Sequence, residues 1–233
     1  MNAASSALQR ARIVLVGSGR MGQIRSSLMY SNPRLDLIGV CDVYKAGAES
    51  LGDKFSALPF KTLTQAIDHF GVQGQHEYLE QYDSSGASMV IASDEEHCTP
   101  IDGVVLCAPT FTHEDVICEA AEYGLPIFVE KPVDETAEKI ENLFNICEKH
   151  GAKLCCGFQR RFDESYVAVT DAVRLGKIGK PISANIFFAD HPCPPTEFLL
   201  SGGDIFMDLC VSFTGKYELQ FSQSKSQYEL VLS

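Results

Sequence analysis

Residues 13–22 read Ile13-Val14-Leu15-Val16-Gly17-Ser18-Gly19-Arg20-Met21-Gly22, an apolar, largely β-branched run that enters a glycine loop without a linker. A run of this kind is expected of a central parallel strand buried on both faces. Gly17 permits the tight turn, Gly19 leaves the backbone bare, and Gly22 lets a following helix, Met21 to about Tyr30, pack closely on the strand. A pyrophosphate would then rest on free amides at a helix N-terminus, where the helix dipole also favours negative charge.

Glycines gather in many turns, so the loop by itself is weak and its flanks carry the reading. A second strand, Leu35 to Cys41, ends in Asp42, where a dinucleotide-binding unit needs an acid for the adenosine ribose hydroxyls. The alternative is a strand-end aspartate that only caps the next helix or pairs with Lys45 on the surface. An acid at this place also repels a ribose 2′-phosphate unless a cation intervenes, so NAD is expected in preference to NADP.

Composition narrows the partners. The 233 residues suffice for one large domain or a domain and a half, and 45% hydrophobic content provides a core. A net charge of −12 argues against nucleic acid or an anionic membrane as the main partner, since both call for a basic surface. No apolar run approaches the roughly 20 residues that span a bilayer. Met1 to Arg12 lacks the apolar centre of a signal peptide. Nine cysteines, with Cys41, Cys107, Cys155 and Cys156 in expected strands as small buried hydrophobes, point to a reducing compartment and a cytoplasmic protein. His97-Cys98 and His191-Pro192-Cys193 lack paired ligand spacing, and no metal is expected.

The strand and helix alternation continues downstream. A helix from Lys45 to about Leu51 leads to a short strand near Phe60, and Thr62 opens a helix that fades near Phe70. Residues 71 to 101 break the rhythm and read as a surface insertion with a helical turn at His76 to Tyr82. The pattern resumes with strand Val104 to Cys107 and the turn Ala108-Pro109-Thr110. Thr112 then caps a helix that Gly124 stops. Strand Ile127 to Val129, a helix from Asp134 to Lys149 and a buried strand from Lys153 to Cys156 follow. The whole predicts an α/β fold with a doubly wound parallel sheet and right-handed crossovers over residues 1–157. Residues 158–211 read as the opening of a second α/β domain: a helix over Asp163 to Leu175, a strand over Pro181 to Ala189 and a proline-rich loop from His191 to Pro195.

Two further places carry candidate chemistry. Glu130-Lys131-Pro132 follows a strand at the carboxyl edge of the sheet, where ligands bind, and an ammonium there can stabilise a developing alkoxide. The plainer reading is a solvated lysine; Lys131-Pro132 is a candidate cis bond. After Ser201-Gly202-Gly203, Asp204, Asp208 and Ser212 fall at i, i+4 and i+8 on one helix face, the spacing of a base and its orienting partner or of an ordinary polar face.

Gly17 to Gly22, Asp42, Ala108-Pro109-Thr110-Phe111-Thr112-His113, Glu130-Lys131-Pro132, Gly157-Phe158-Gln159-Arg160-Arg161-Phe162-Asp163 and Gly202-Gly203 through Asp208 together resemble the glucose-fructose oxidoreductase and inositol dehydrogenase family. The arginine-arginine-phenylalanine-aspartate run is most similar to its inositol 2-dehydrogenase branch, and the resemblance covers about residues 11 to 211. It implies a Rossmann domain and a C-terminal open-sheet domain, and transfer of hydride from a secondary hydroxyl of a polyol or sugar to NAD. It further implies cofactor contacts from Gly17, Ser18, Gly19, Arg20, Met21, Gly22, Asp42, Ala108, Pro109, Thr110, His113, Glu130 and Lys131. Lys131 would also touch substrate, and Asp208 would tune a general-base histidine one helical turn on.

That histidine position holds Ser212, a far weaker base, and residues 212–233 form a divergent polar tail. The expectation is a truncated product, such as an alternative transcript or misjoined gene model, that leaves Val211 for unrelated sequence. Its strand Pro181 to Ala189 would be an open edge, and the homo-oligomer that the resemblance implies through this sheet would be weakened. Two rival readings remain: an NADP-using sugar or dihydrodiol oxidoreductase with Lys45 or a nearby arginine at the phosphate, and a non-catalytic dinucleotide-binding or interaction protein.

Overall fold

A computed structural model of the chain describes residues 10–72, 80–82, 88–90 and 100–183. In chain order they form β1 (Ala11–Val16), α1 (Arg20–Ser31), β2 (Leu35–Cys41), α2 (Lys45–Phe55), β3 (Leu58–Phe60), α3 (Leu63–Phe70), β4 (Glu80–Tyr82), β5 (Ser88–Val90), β6 (Gly103–Leu106), α4 (His113–Glu122), β7 (Ile127–Val129), α5 (Ala137–Lys149), β8 (Leu154–Cys156) and α6 (Glu164–Arg174). The chain divides into two compact units: one runs to Val129 and takes in Thr136–Cys155, and the other joins Glu130–Glu135 to the chain from Cys156 onward.

The first unit is built on a six-stranded sheet of order β3-β2-β1-β6-β7-β8, in which β3–β2, β2–β1, β1–β6 and β6–β7 are parallel. Starting at β1, the chain winds outward to β3 and returns to the other side of β1 at β6, and the reversal divides the helices between the two faces of the sheet. Val14 and Leu15 in β1 have no exposure, as a central strand covered on both faces requires. On one face, Leu15, Leu37 and Val40 pack with Met29 of α1 and Ala48, Leu51 and Phe55 of α2. Leu51 and Phe55, one turn apart, carry this stripe on, and α2 therefore runs one turn beyond the Leu51 end that the sequence suggested. The other layer buries Ile67 and Phe70 of α3, Ile117 and Ala120 of α4, and Leu143 of α5.

The amino ends of the central strands β1 and β6 are joined by a charged clamp. The backbone N–H of Arg12 and its Nε both donate to Asp102 Oδ2, at 2.8 and 2.9 Å, and Nη2 donates to Oδ1 at 3.0 Å. Gly71 closes α3, and there the chain leaves for the insertion; it comes back where Val72 and Ile101 form a parallel bridge and Ile101 N–H donates to Gly71 O at 3.0 Å. Between these ends β4 and β5 pair antiparallel as a separate ribbon, so residues 80–82 are strand and not the end of the expected helical turn. Residues 76–79 of that turn lie outside the described residues.

Other element ends depart from expectation for local reasons. The Asp134 carboxylate accepts the Glu135 N–H at 2.6 Å, a bent arrangement outside the helix, and α5 begins only after Thr136, whose hydroxyl accepts from Lys139 N–H. Thr112 precedes α4 without capping it: residues Thr110–Thr112 form a 3-10 turn and the Thr112 hydroxyl donates to Pro109 O at 2.8 Å. β8 is the outer strand and is not buried, and its Cys155 is exposed. Cys107 and Cys156 are half-buried, so among the four strand cysteines only Cys41 is the buried hydrophobe expected.

In the second unit, Asp163 caps α6 by accepting from the Ser165 and Tyr166 N–H groups, and Arg160 lies 5.3 Å over the Tyr166 ring. Pro181–Ser183 form no strand, and residues 184–189 of the strand expected there lie outside the described residues. So do the loop from His191 to Pro195, Gly202-Gly203, Asp208 and Ser212.

Candidate functional site

The strand order turns back between β1 and β6, and the crevice at the carboxyl ends of these two strands is where open α/β sheets take ligands. Gly17 stands at its base with φ +99°, a conformation that a side chain disfavours. A Cβ added there would also come within 2.6 Å of the Ala108 nitrogen and the Cys107 carbonyl carbon, so the loop after β1 lies directly against the turn after β6. Two backbone bonds hold it: Gly17 N–H donates to Cys41 O at 2.8 Å, and Cys107 N–H to Val16 O at 2.7 Å.

Gly22 closes the loop from the helix side, because a Cβ there would sit 2.0 Å from the Gly17 carbonyl oxygen. Gly19 differs. It is exposed, an added Cβ meets nothing within 4 Å, and it stands at the N-terminus of α1, which no side chain caps and whose first turn holds no acid. The glycine loop thus offers open space at one residue and close backbone packing at two. A diphosphate needs that arrangement to reach helix-terminal amides. Arg20 is exposed beside it and Met21 is half-buried.

Asp42 follows β2 and is held by three donors. Ser18 gives Oδ2 both its backbone N–H and its hydroxyl, each at 2.7 Å, and Tyr44 N–H reaches Oδ1 at 2.8 Å. Burial pushes the carboxyl up, but the Ser18 and Tyr44 bonds outweigh it and hold the group below the usual carboxylate range. Asp42 therefore remains charged at neutral pH. Asp42 does not cap α2, whose N-cap is Tyr44 with no side-chain bond; its contact with the Tyr44 N–H is a turn that precedes the helix. Lys45 pairs instead with Glu49, at 3.4 Å. Val43 and Tyr44 are largely exposed beside the carboxylate. Cys41, just before it, is buried, and burial with the Glu119 and Asp42 charges pushes its thiol up to about 12.

Across the crevice, Ala108 and Pro109 begin the turn after β6. His113 is buried, and its Nε2 lies 2.9 Å from Ala108 O. A carbonyl only accepts, so Nε2 carries the hydrogen, and the ring supports the turn from behind. Thr110 is half-buried and Phe111 exposed. In the second unit Glu130 and Asp134 are buried, Lys131 is half-buried, and the Lys131-Pro132 bond is cis. Among the described residues no group of three His, Cys, Asp or Glu side chains is placed to hold a metal.

Sequence reasoning did not find the reach of Ser18 and Tyr44 to Asp42, nor the closeness of Gly47 to Ser18. One signal was available: Gly47 lies in the first turn of α2, where glycine weakens a helix and points to a close neighbour.

The family model GFO_IDH_MocA, described as an oxidoreductase family with an NAD-binding Rossmann fold, matches residues 11–158. The chain is 30% identical over 200 residues to the inositol 2-dehydrogenase of Rhizobium meliloti (strain 1021), covering 86% of this chain and 52% of that protein. It is also 30% identical over 206 residues to the scyllo-inositol 2-dehydrogenase (NAD(+)) of Bacillus subtilis (strain 168), covering 86% and 51%. The solved myo-inositol dehydrogenase of Corynebacterium glutamicum ATCC 13032 superposes with a TM-score of 0.64 at 25% identity, over 91% of this chain and 55% of that one. The chain spans about half the length of the curated relatives it matches.

Proposed function

The chain belongs to the GFO_IDH_MocA oxidoreductases, and on that premise we propose that it is an NAD-dependent oxidoreductase of the inositol 2-dehydrogenase type. Its substrate is a cyclic polyol or sugar with an oxidisable secondary hydroxyl. The observation that carries the reading is the pairing of an open Gly19 at the head of α1 with a charged Asp42 at the end of β2. One accepts a diphosphate and the other a ribose hydroxyl. The relatives named for inositol and for NAD(+) support the same choice of substrate and cofactor.

NAD, when bound, supplies the hydride acceptor. The chain's own groups hold and orient it: the Gly17–Gly22 loop at the diphosphate, Asp42 at the adenosine ribose, and the Ala108-Pro109-Thr110 turn, supported by His113, along the crevice wall. Glu130-Lys131 brings an ammonium for the substrate oxygen, where a positive charge stabilises the developing alkoxide. By resemblance to the family, Asp208 would tune a base one helical turn on, a position that holds Ser212 in this chain. A reducing, cytosolic compartment belongs to the same proposal and is supported by six free cysteines among the described residues.

Titration of the purified chain with NAD and NADP, by calorimetry and by thermal shift, tests the cofactor half, since a ligand of the native state alone raises its stability. Saturable NAD binding with weaker NADP binding is expected; a cooperatively folded chain that binds neither would refute the proposal. Reduction of NAD with inositol as substrate tests the other half. Ser212 favours a second reading, dinucleotide binding without turnover, because a hydroxyl there is too weak a base to take the substrate proton near neutral pH. NAD binding with no turnover on inositol or related polyols would establish it.

A further inference from the structure

The Asp42 carboxylate has about four acceptor positions, and three are filled from within the chain. Ser18 fills two of them on one oxygen. Its side chain is in turn confined by α2, for a Cβ on Gly47 would lie 2.4 Å from the Ser18 hydroxyl oxygen and 3.1 Å from the Tyr44 ring. Ser18, only 9% exposed, thus lies between the glycine loop and the first turn of α2, with its hydroxyl directed at the carboxylate. An amide of the glycine loop is given to the acid and not to the diphosphate.

We propose that Ser18 is a positioning residue that sets the preference for NAD over NADP through Asp42, and that Gly47 is glycine to leave the Ser18 hydroxyl its place. The inference rests on the dinucleotide reading above and goes beyond it. A carboxylate free to swing or to take up a proton tolerates a 2′-phosphate. One that is held charged by two donors from a single residue repels it at a fixed place. Loss of the Ser18 hydroxyl leaves burial less opposed, so the Asp42 titration midpoint moves up. The pH below which NAD loses its advantage moves up with it.

The test uses Ser18→Ala, Gly47→Ala and the double variant in the full chain. Dissociation constants for NAD and NADP are read by calorimetry across pH, and the Asp42 carboxyl is titrated by carbon NMR without ligand. Each single variant is expected to lower the NAD:NADP affinity ratio about tenfold, the scale of one charge-assisted hydrogen bond, and to raise the Asp42 midpoint. Gly47→Ala meets the Ser18 hydroxyl and, less closely, the exposed Tyr44 ring, and no backbone, so it is expected to fold, and it keeps Ser18 itself. The double variant is expected to match Ser18→Ala alone, since Gly47 acts only through the hydroxyl. An unchanged ratio in Ser18→Ala, or a ratio that falls while the midpoint stays, overturns the proposal, as do additive effects in the double variant. A wild-type chain that binds neither dinucleotide overturns the proposed function instead, and the role of Ser18 in specificity with it.

Discussion

Gly22→Ala sets two effects of known scale against each other. In the middle of an ordinary helix the change would stabilise by about 1 kcal/mol, the difference in propensity between glycine and alanine. At Gly22 the new methyl would lie 2.0 Å from the Gly17 carbonyl oxygen. That oxygen is backbone, in a loop tied to β2 through the bond from Gly17 N–H to Cys41 O, so it cannot rotate away as a side chain would. Relief requires the head of α1 to move off the loop by about 1 Å, an overpacking cost at the upper end of about 1–3 kcal/mol. The net is a loss of about 2 kcal/mol, or a melting point lower by about 6 °C for a chain of this size. NAD affinity falls at least about tenfold, because the same shift separates the amides that meet the diphosphate. Gly19→Ala is the control: its methyl meets nothing within 4 Å and φ is −66°, so the melting point stays while NAD affinity falls. Differential scanning fluorimetry with and without NAD reads both. A Gly22→Ala protein that melts about 3 °C higher, as propensity alone predicts, and binds NAD normally refutes the packing argument.

Three further outcomes are expected. Asp102→Asn lowers stability at pH 7 by about 2 kcal/mol by removing the charge from the clamp with Arg12. The Arg12 bonds hold the Asp102 carboxyl below its ordinary value against the effect of burial, so their contribution is complete above about pH 4 and is lost as pH falls through the native pKa. Denaturant melts at pH 7 and pH 3 should therefore show a smaller gap between wild type and variant at the lower pH, and an equal gap would sink the assignment. Ser26→Ala should stabilise by about 1 kcal/mol, because the fully buried Ser26 hydroxyl has no hydrogen-bond partner among the described residues; a loss of that size would mean that it has one. Replacing residues 73–99 with a glycine-serine linker of about five residues should leave the melting point and NAD affinity nearly unchanged. The stretch leaves and returns at the Val72–Ile101 bridge, and its ribbon is separate from the main sheet. Loss of cooperative melting would show that the insertion supports the fold.

Much of the first unit could be read from the sequence because its signals are local. The apolar run into Gly17, the β2 span Leu35–Cys41, the Thr62 cap of α3 and the β7 span Ile127–Val129 each follow from a few adjacent residues, and all stand where they were expected. What was missed depends on partners distant in sequence or on competition between neighbours. The continuation of α2 to Phe55 is set by packing on β2, and the start of α5 by a side-chain bond from Asp134 that competes with the helix. β8 reads as buried from composition, but only the sheet order shows that it is the last strand. In the site, Gly17, Gly19, Gly22 and Asp42 were legible as types at a spacing. That Ser18 gives both its donors to Asp42 depends on two loops meeting across 24 residues, which no local pattern records.

The thiol of Cys41 bears on how this protein can be handled. Buried beside Asp42 and protonated far above neutral pH, it is closed to alkylating reagents and to peroxide, which act on thiolates. Cys155, at the exposed outer strand, is the more accessible of the described thiols. A maleimide dye attached there would report on the molecule from the far end of the sheet, six strands wide, without entering the glycine loop. Loss of nucleotide binding after mild oxidation should accordingly be traced to sulfur other than Cys41.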